Sequence, residues 1–290
     1  MKTTKVFIGL FTVIFILFSC TGHKVKTNNH ENKNSLSKMG LVGKVKTLTE
    51  TKYKAVDAAG EIRKGDTISK YITLFNEKGN TVEISVQESH KPLKKYIDKY
   101  DNKGNMIEED TYNSEGKLQG KSTYKYDDKG KNIENSVYDS ISRLLNRYTS
   151  KFDKKGEMIE RYVYNSDTIS YVYKDIFKYD EYGNRIEYIT YNPDNSLFSK
   201  DINKFDDDGN CIELSTYDPD GSLFSKESYK YNENRNTTEN ISYSYSKTRD
   251  VLVSKTTYKY KYDKTGNWIK VTEFEDGIAK DITEREITYY

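Results

Sequence analysis

The chain has little of what most catalytic sites are built from. Its 290 residues include three histidines, two cysteines, three prolines and one tryptophan. Two cysteines cannot build a disulfide framework. His23 and His30 lie in a polar N-terminal stretch and His90 beside a turn, so no His/Cys/carboxylate group has metal-ligand spacing. No glycine-rich phosphate loop is present, and no Ser/His/Asp arrangement can be assembled. The expectation is no catalytic residue, no metal and no cofactor. A surplus of one charge is also missing: Lys and Arg total 47 against 45 Asp and Glu, and Lys2 and Lys5 belong to the leader described next. A near-neutral chain has no basic surplus to hold a phosphate backbone, which disfavours nucleic acid as a partner. Long apolar runs are missing beyond the N-terminus, and hydrophobic residues make up only 34% of the chain.

The one apolar run is Val6–Phe18. At thirteen residues it is shorter than the roughly 20 that span a bilayer and suits a signal-peptide core behind Lys2 and Lys5. It ends in Leu17-Phe18-Ser19-Cys20, which resembles a bacterial lipobox. That resemblance implies a signal peptide over 1–19, lipidation of Cys20 and a membrane partner held through the N-terminal lipid. Thr21 rather than Asp after the cysteine implies sorting to the outer membrane, by the rule that other lipoproteins follow. Residues 20–38 are polar and aperiodic and are expected to form a disordered tether.

What the chain has in quantity is tyrosine, 27 residues, with 11 Phe, and a phrase that recurs. It starts at Phe75, Tyr100, Tyr126, Phe152, Tyr179, Phe205, Tyr231 and Tyr262, in steps of 25, 26, 26, 27, 26, 26 and 31 residues. Each copy reads aromatic, Asp or Asn, two polar residues, then Gly, with Arg235 replacing Gly in the seventh. This suits a type I turn closed by a left-handed residue, a common three-residue hairpin connection. Gly takes the positive φ, and Asp or Asn caps its own backbone. A second phrase begins eight residues after the glycine, as at Tyr112, Tyr191 and Tyr217, so each period holds two turns and two strands.

The sequence therefore predicts an all-β fold: a meander of about sixteen strands from eight hairpin repeats, forming an extended, twisted or curled antiparallel sheet. The repeat domain is 75–290, and 39–74 is an N-terminal β cap. If Tyr100 pairs with Met106 and Lys99 with Ile107, one face carries Tyr96, Tyr100, Tyr112, Tyr124, Tyr126, Glu108 and Leu118. The other then carries Lys99, Lys125, Ile107, Thr111 and Thr123. The tyrosine face is expected to pack and the lysine face to be wet.

The phrase resembles the YD repeats of RHS-type proteins, and the chain as a whole resembles YD-repeat lipoproteins of Bacteroidetes type. The likeness covers about 75–290 and implies a spiralling hairpin sheet. Glycine-Lys-Leu-Gln-Gly-Lys at 116–121 is also similar to antitoxin-like hairpin repeats. The resulting expectation is a lipid-anchored, non-enzymatic binding or scaffold module of the cell envelope for a protein, peptide or glycan. A toxin-associated binding or immunity role is the alternative, and a polysaccharide-active enzyme a remote one.

Four features are weighed as sites. A glutamate follows the glycine by four residues in seven repeats, from Glu83 to Glu239, and reads as a structural ladder because it obeys the repeat. Asp206-Asp207-Asp208 invites calcium, but Lys204 stands where an EF-hand loop needs an acid, and turn chemistry explains the run better. Cys211 reads as a packed apolar residue. Arg235 in a glycine slot predicts an irregular sheet there.

Overall fold

The computed structural model describes residues 34–166, 170–246 and 249–290; the leader and Cys20 lie outside the described residues. A short helix α1 (Ser35–Lys38) precedes eighteen strands. They are β1 (Val45–Ala58), β2 (Glu61–Phe75), β3 (Thr81–Glu88), β4 (Lys94–Tyr100), β5 (Met106–Tyr112), β6 (Leu118–Tyr126), β7 (Asn132–Asp139), β8 (Leu144–Phe152) and β9 (Met158–Asn165). The ring continues with β10 (Tyr173–Tyr179), β11 (Arg185–Tyr191), β12 (Leu197–Phe205), β13 (Cys211–Tyr217), β14 (Leu223–Tyr231), β15 (Thr237–Ser246), β16 (Arg249–Tyr262), β17 (Trp268–Glu275) and β18 (Ile278–Tyr289).

Each strand pairs antiparallel with its sequence neighbours, and β1 also pairs with β18, from Val45 opposite Tyr289 to Lys54 opposite Asp281. The sheet is therefore a closed up-and-down barrel. This corrects the expected open meander of about sixteen strands. The segment read as a separate cap supplies β1 and β2, which raises the count to eighteen and provides the seam. A repeat encodes how each hairpin pairs with the next, but closure depends on curvature summed around the ring. An open sheet would leave two bare edges, and joining β18 to β1 removes both.

The turns form as their residues dictate. In the phrase at Tyr100, Asp101 N donates to Asn105 O at 2.9 Å and Gly104 N to Asp101 O at 3.1 Å. Gly104 sits at φ 86°, and Asp101 Oδ1 accepts from the backbone N–H groups of Lys103 and Asn105 at 2.9 and 2.8 Å. Arg235 takes the same left-handed conformation, φ 61°, and its turn keeps the bonds Arg235 N to Asn232 O, 2.9 Å, and Asn232 N to Asn236 O, 3.0 Å. The irregularity expected there does not occur. The guanidinium reaches the neighbouring phrase turn, where Nε donates to Asn210 Oδ1 at 2.9 Å and Nη2 to Asp208 O at 2.5 Å. Those bonds offset the roughly 1 kcal/mol cost of a side chain in this region.

One register detail reverses the expected faces. Tyr100 is opposite Met106, but Lys99 is opposite Glu108, not Ile107. Ile107 is an extra residue, a β-bulge. The same bulge follows all eight phrases, with Ile133, Ile159, Ile186, Ile212 and Ile269 in the equivalent place in five of the others. Because side chains alternate with a period of two, one extra residue transfers everything beyond it to the opposite face. Glu108 and Tyr112 therefore share the lysine face, while Thr111 joins Tyr96 on the other.

All eight phrase turns lie at one rim, where β1 begins and β18 ends. The N-terminal segment runs along this rim. Leu36 and Leu41 pack on Val45, Leu48 and Phe75, with Met39 and Ile287 alongside. Leu36 N donates to Gly79 O at 3.0 Å, and Val42 N to Asn267 Oδ1 at 2.8 Å. This rim holds the buried apolar cluster; elsewhere the wall is mostly half-buried, with single buried residues such as Phe177, Ile189 and Ile282.

Candidate binding surface in the barrel lumen

The aromatic residue that opens the phrase, Tyr in five repeats and Phe in three, looks inward. Tyr100, Tyr126, Tyr179 and Tyr231 share the inner face with Tyr96, Tyr124, Tyr148, Tyr188, Tyr229, Tyr258 and Tyr260, and all are half-buried. Several are fixed by their hydroxyl groups. Tyr126 Oη donates to Met106 O at 2.7 Å, Tyr179 to Met158 O at 2.9 Å, Tyr231 to Cys211 O at 2.6 Å and Tyr260 to Thr237 O at 3.0 Å. The repeat thus builds a row of rings on the inner face, four of them tied across to the preceding hairpin. A tyrosine is well suited to this, being an apolar body with a polar handle.

Charged residues between the rings are mostly paired. Asp175, only 2% exposed, accepts from Arg161 Nε at 2.8 Å, Thr190 Oγ1 at 2.9 Å and Tyr188 Oη at 3.2 Å. Phe177 stacks on Tyr188 with centroids 5.2 Å apart. Arg285 binds Glu50 Oε1 at 3.0 Å and lies 3.4 Å above the centre of the Trp268 ring. Lys52 pairs with Asp281 at 2.7 Å.

Asp98 and Glu109 differ. They are directly opposed on β4 and β5. Burial, and after it the charge of Glu109, raise Asp98 to about 7, a long bond from Tyr100 Oη, 3.5 Å, only partly opposing them. Burial also raises Glu109. The sequence reading missed this pair, although the repeat contains a signal. Two residues before the phrase aromatic stand Thr73, Asp98, Tyr124, Ser150, Phe177, Asn203, Tyr229 and Tyr260; five after the glycine stand Ile84, Glu109, Asn135, Arg161, Tyr188, Leu214, Asn240 and Val271. Each column holds one acid, and the two acids face each other.

The outer face carries the glutamate row. Glu213 bridges Lys204 and Lys226 at 2.8 and 2.7 Å, and Glu239 bridges Lys230 and Lys255, both at 2.8 Å. Glu108, Glu160 and Glu187 bridge lysine pairs in the same way. The lysine bonds hold Glu160 and Glu239 below the ordinary carboxylate range. The ladder read from the sequence is present, but outside, away from the lumen tyrosines. Asp206 serves its own turn, its Oδ1 accepting from Asp208 N at 3.0 Å and Asn210 N at 2.8 Å. Cys211 is fully buried opposite Phe205.

No family model and no curated protein matches the chain. Among solved structures it is similar to a porin-like protein from Bacteroides uniformis, at 11% identity and a TM-score of 0.43 over 84% of this chain and 96% of that one. A porin-like protein from Bacteroides vulgatus aligns at 10% identity and 0.31, covering 85% and 98%. The Photorhabdus luminescens Tc holotoxin pore aligns at 12% identity and 0.35, covering 76% of this chain and 12% of that one. At such scores the likeness carries no argument, and the closed barrel rests on the strand register.

Proposed function

We propose that this chain is a lipid-anchored YD-repeat protein of the cell envelope, a non-enzymatic module that binds an extended peptide or glycan along its tyrosine-lined lumen. The observation that carries the reading is the closure of β1 on β18, which turns a repeated row of tethered rings into an enclosed wall. Ring faces with fixed orientation suit sugars and peptide side chains and need no catalytic asymmetry. The outer wall favours a barrel standing in water. A membrane-spanning barrel turns outward an apolar band about 25 Å tall, whereas this one turns outward rows of Lys–Glu bridges.

The anchor is read from Cys20, and outer-membrane sorting from Thr21. Replacing Cys20 with Ser should release the protein from membranes into the soluble fraction; unchanged fractionation sinks the anchor. Trp268 is the chain's one tryptophan and stacks beneath Arg285 beside Tyr260. Its emission should shift when defined envelope glycans or extended peptides enter the lumen, and Tyr260→Ala should weaken the shift. Binding that is unaffected by Tyr124→Ala, Tyr229→Ala and Tyr260→Ala together would place the ligand elsewhere.

A further inference from the structure

The pair that breaks the repeat's symmetry is Asp98 and Glu109, directly opposed on β4 and β5 and facing the lumen. Side chains directly opposite in an antiparallel pair have Cβ atoms about 4.5–5.5 Å apart, and like charges there push the strands apart. Asp98 Oδ1 is buried without a hydrogen-bond partner, and so is Asn135 Oδ1, three strands away on β7. The groups facing the pair are known from each adjoining strand. Tyr100 and Tyr96 stand on β4, Tyr124 and Tyr126 on β6, and Glu88 of β3 and Tyr71 of β2 act on Tyr96. None of them is a cation. Two other carboxylates on the inner face, Glu50 and Asp175, each face an arginine, and Glu273, opposed to Asp281 across β17 and β18, shares Lys52 with it at 3.9 and 2.7 Å.

We propose that Asp98 and Glu109 share one proton and so form a proton-operated latch between β4 and β5. With the proton in place, one carboxyl group donates to the other and the wall is bridged. The Asp98 oxygen that lacks a partner becomes one side of that bridge. Loss of the proton leaves two like charges opposed among tyrosines, and the β4–β7 wall loosens. The sign follows from linkage. A carboxyl whose folded value lies above its unfolded one binds more protons when folded. Its contribution is full at low pH and is lost as pH rises from about 4 towards 7.

The test uses the whole mature chain. Carbon-13 carboxyl NMR should find Asp98 titrating near 7. Amide exchange, corrected for intrinsic rate, should find the opening of 94–112 rising about tenfold or more from pH 5.5 to pH 8, with 197–217 on the far wall unchanged. Asp98→Asn should abolish that rise. If the variant fails to fold, Glu109→Gln serves instead and should lower the Asp98 midpoint. An Asp98 midpoint below about 5 in the wild-type chain overturns the proposal whatever the variants do. So does a pH response of 94–112 no larger than that of 197–217.

Discussion

Glu108 and Glu109 are adjacent in the chain and live in opposite environments. Glu108 looks out and is bridged by Lys99 at 2.5 Å and Lys121 at 3.5 Å. Glu109 looks into the lumen, faces Asp98, and is raised by burial. The contrast extends around the ring: outer acids form screened pairs with flexible lysines, while the inner Glu50 and Asp175 are held by arginine and Asp98 and Glu109 face each other. A carboxylate's role here is set by the face on which the bulge puts it. The two faces should therefore answer differently to the same kind of substitution.

The largest effect is expected at Asp175. Asp175→Ala leaves Arg161 in the wall without the carboxylate oxygen that accepts from both its Nε and its Nη2, at 2.8 and 2.7 Å. Breaking such a pair from one side costs about 3 kcal/mol or more. Urea denaturation should find the loss, and Asp175→Asn should recover only part of it. A loss below about 1 kcal/mol would erase the distinction between inner and outer pairs.

Next comes Asp98→Asn, which should have the opposite sign. It removes one of two opposed charges, so above pH 7 the variant should be more stable than wild type, by about 2 kcal/mol. Below pH 5 the advantage should vanish, because the wild-type pair then holds its proton. Denaturation midpoints at pH 5 and pH 8 check the crossover.

These predictions also mark what could be read from the sequence. The turns were legible because Asp101, Gly104 and Asn105 act within five residues of one another. The strands and their order followed from turn spacing. Closure did not, because Asp281–Tyr289 meets Val45–Lys54 through a curvature that no single repeat contains. The faces were misread by one residue. Ile107 looks like an ordinary strand residue, and only its register reveals it as an insertion. That slip placed Glu108 and Tyr112 with the inner tyrosines and hid Glu109 among outward residues. Arg235 was misread in another way: the cost of its conformation was visible, but the bonds to Asn210 and Asp208 that offset it were not. Arg235→Ala should keep the strained backbone and lose both bonds, destabilising by about 1 kcal/mol, whereas Arg235→Gly should come closer to neutral.

The smallest effect is expected on the outer belt, and its smallness is the point. Glu213→Gln removes the charge that bridges Lys204 and Lys226 but keeps the side chain's shape. Lys204 is 62% exposed, so much of the attraction is screened by water. Exposed pairs contribute about 0.2–1 kcal/mol each, and the loss should sit in that range and shrink as salt is raised through a few tenths molar. The same salt series on Asp175→Ala should change little, because its partner is held inside the wall. Equal salt dependence at the two sites would mean that the lumen is as well solvated as the exterior, and the distinction between Glu108 and Glu109 would then reduce to which lysine happens to be near.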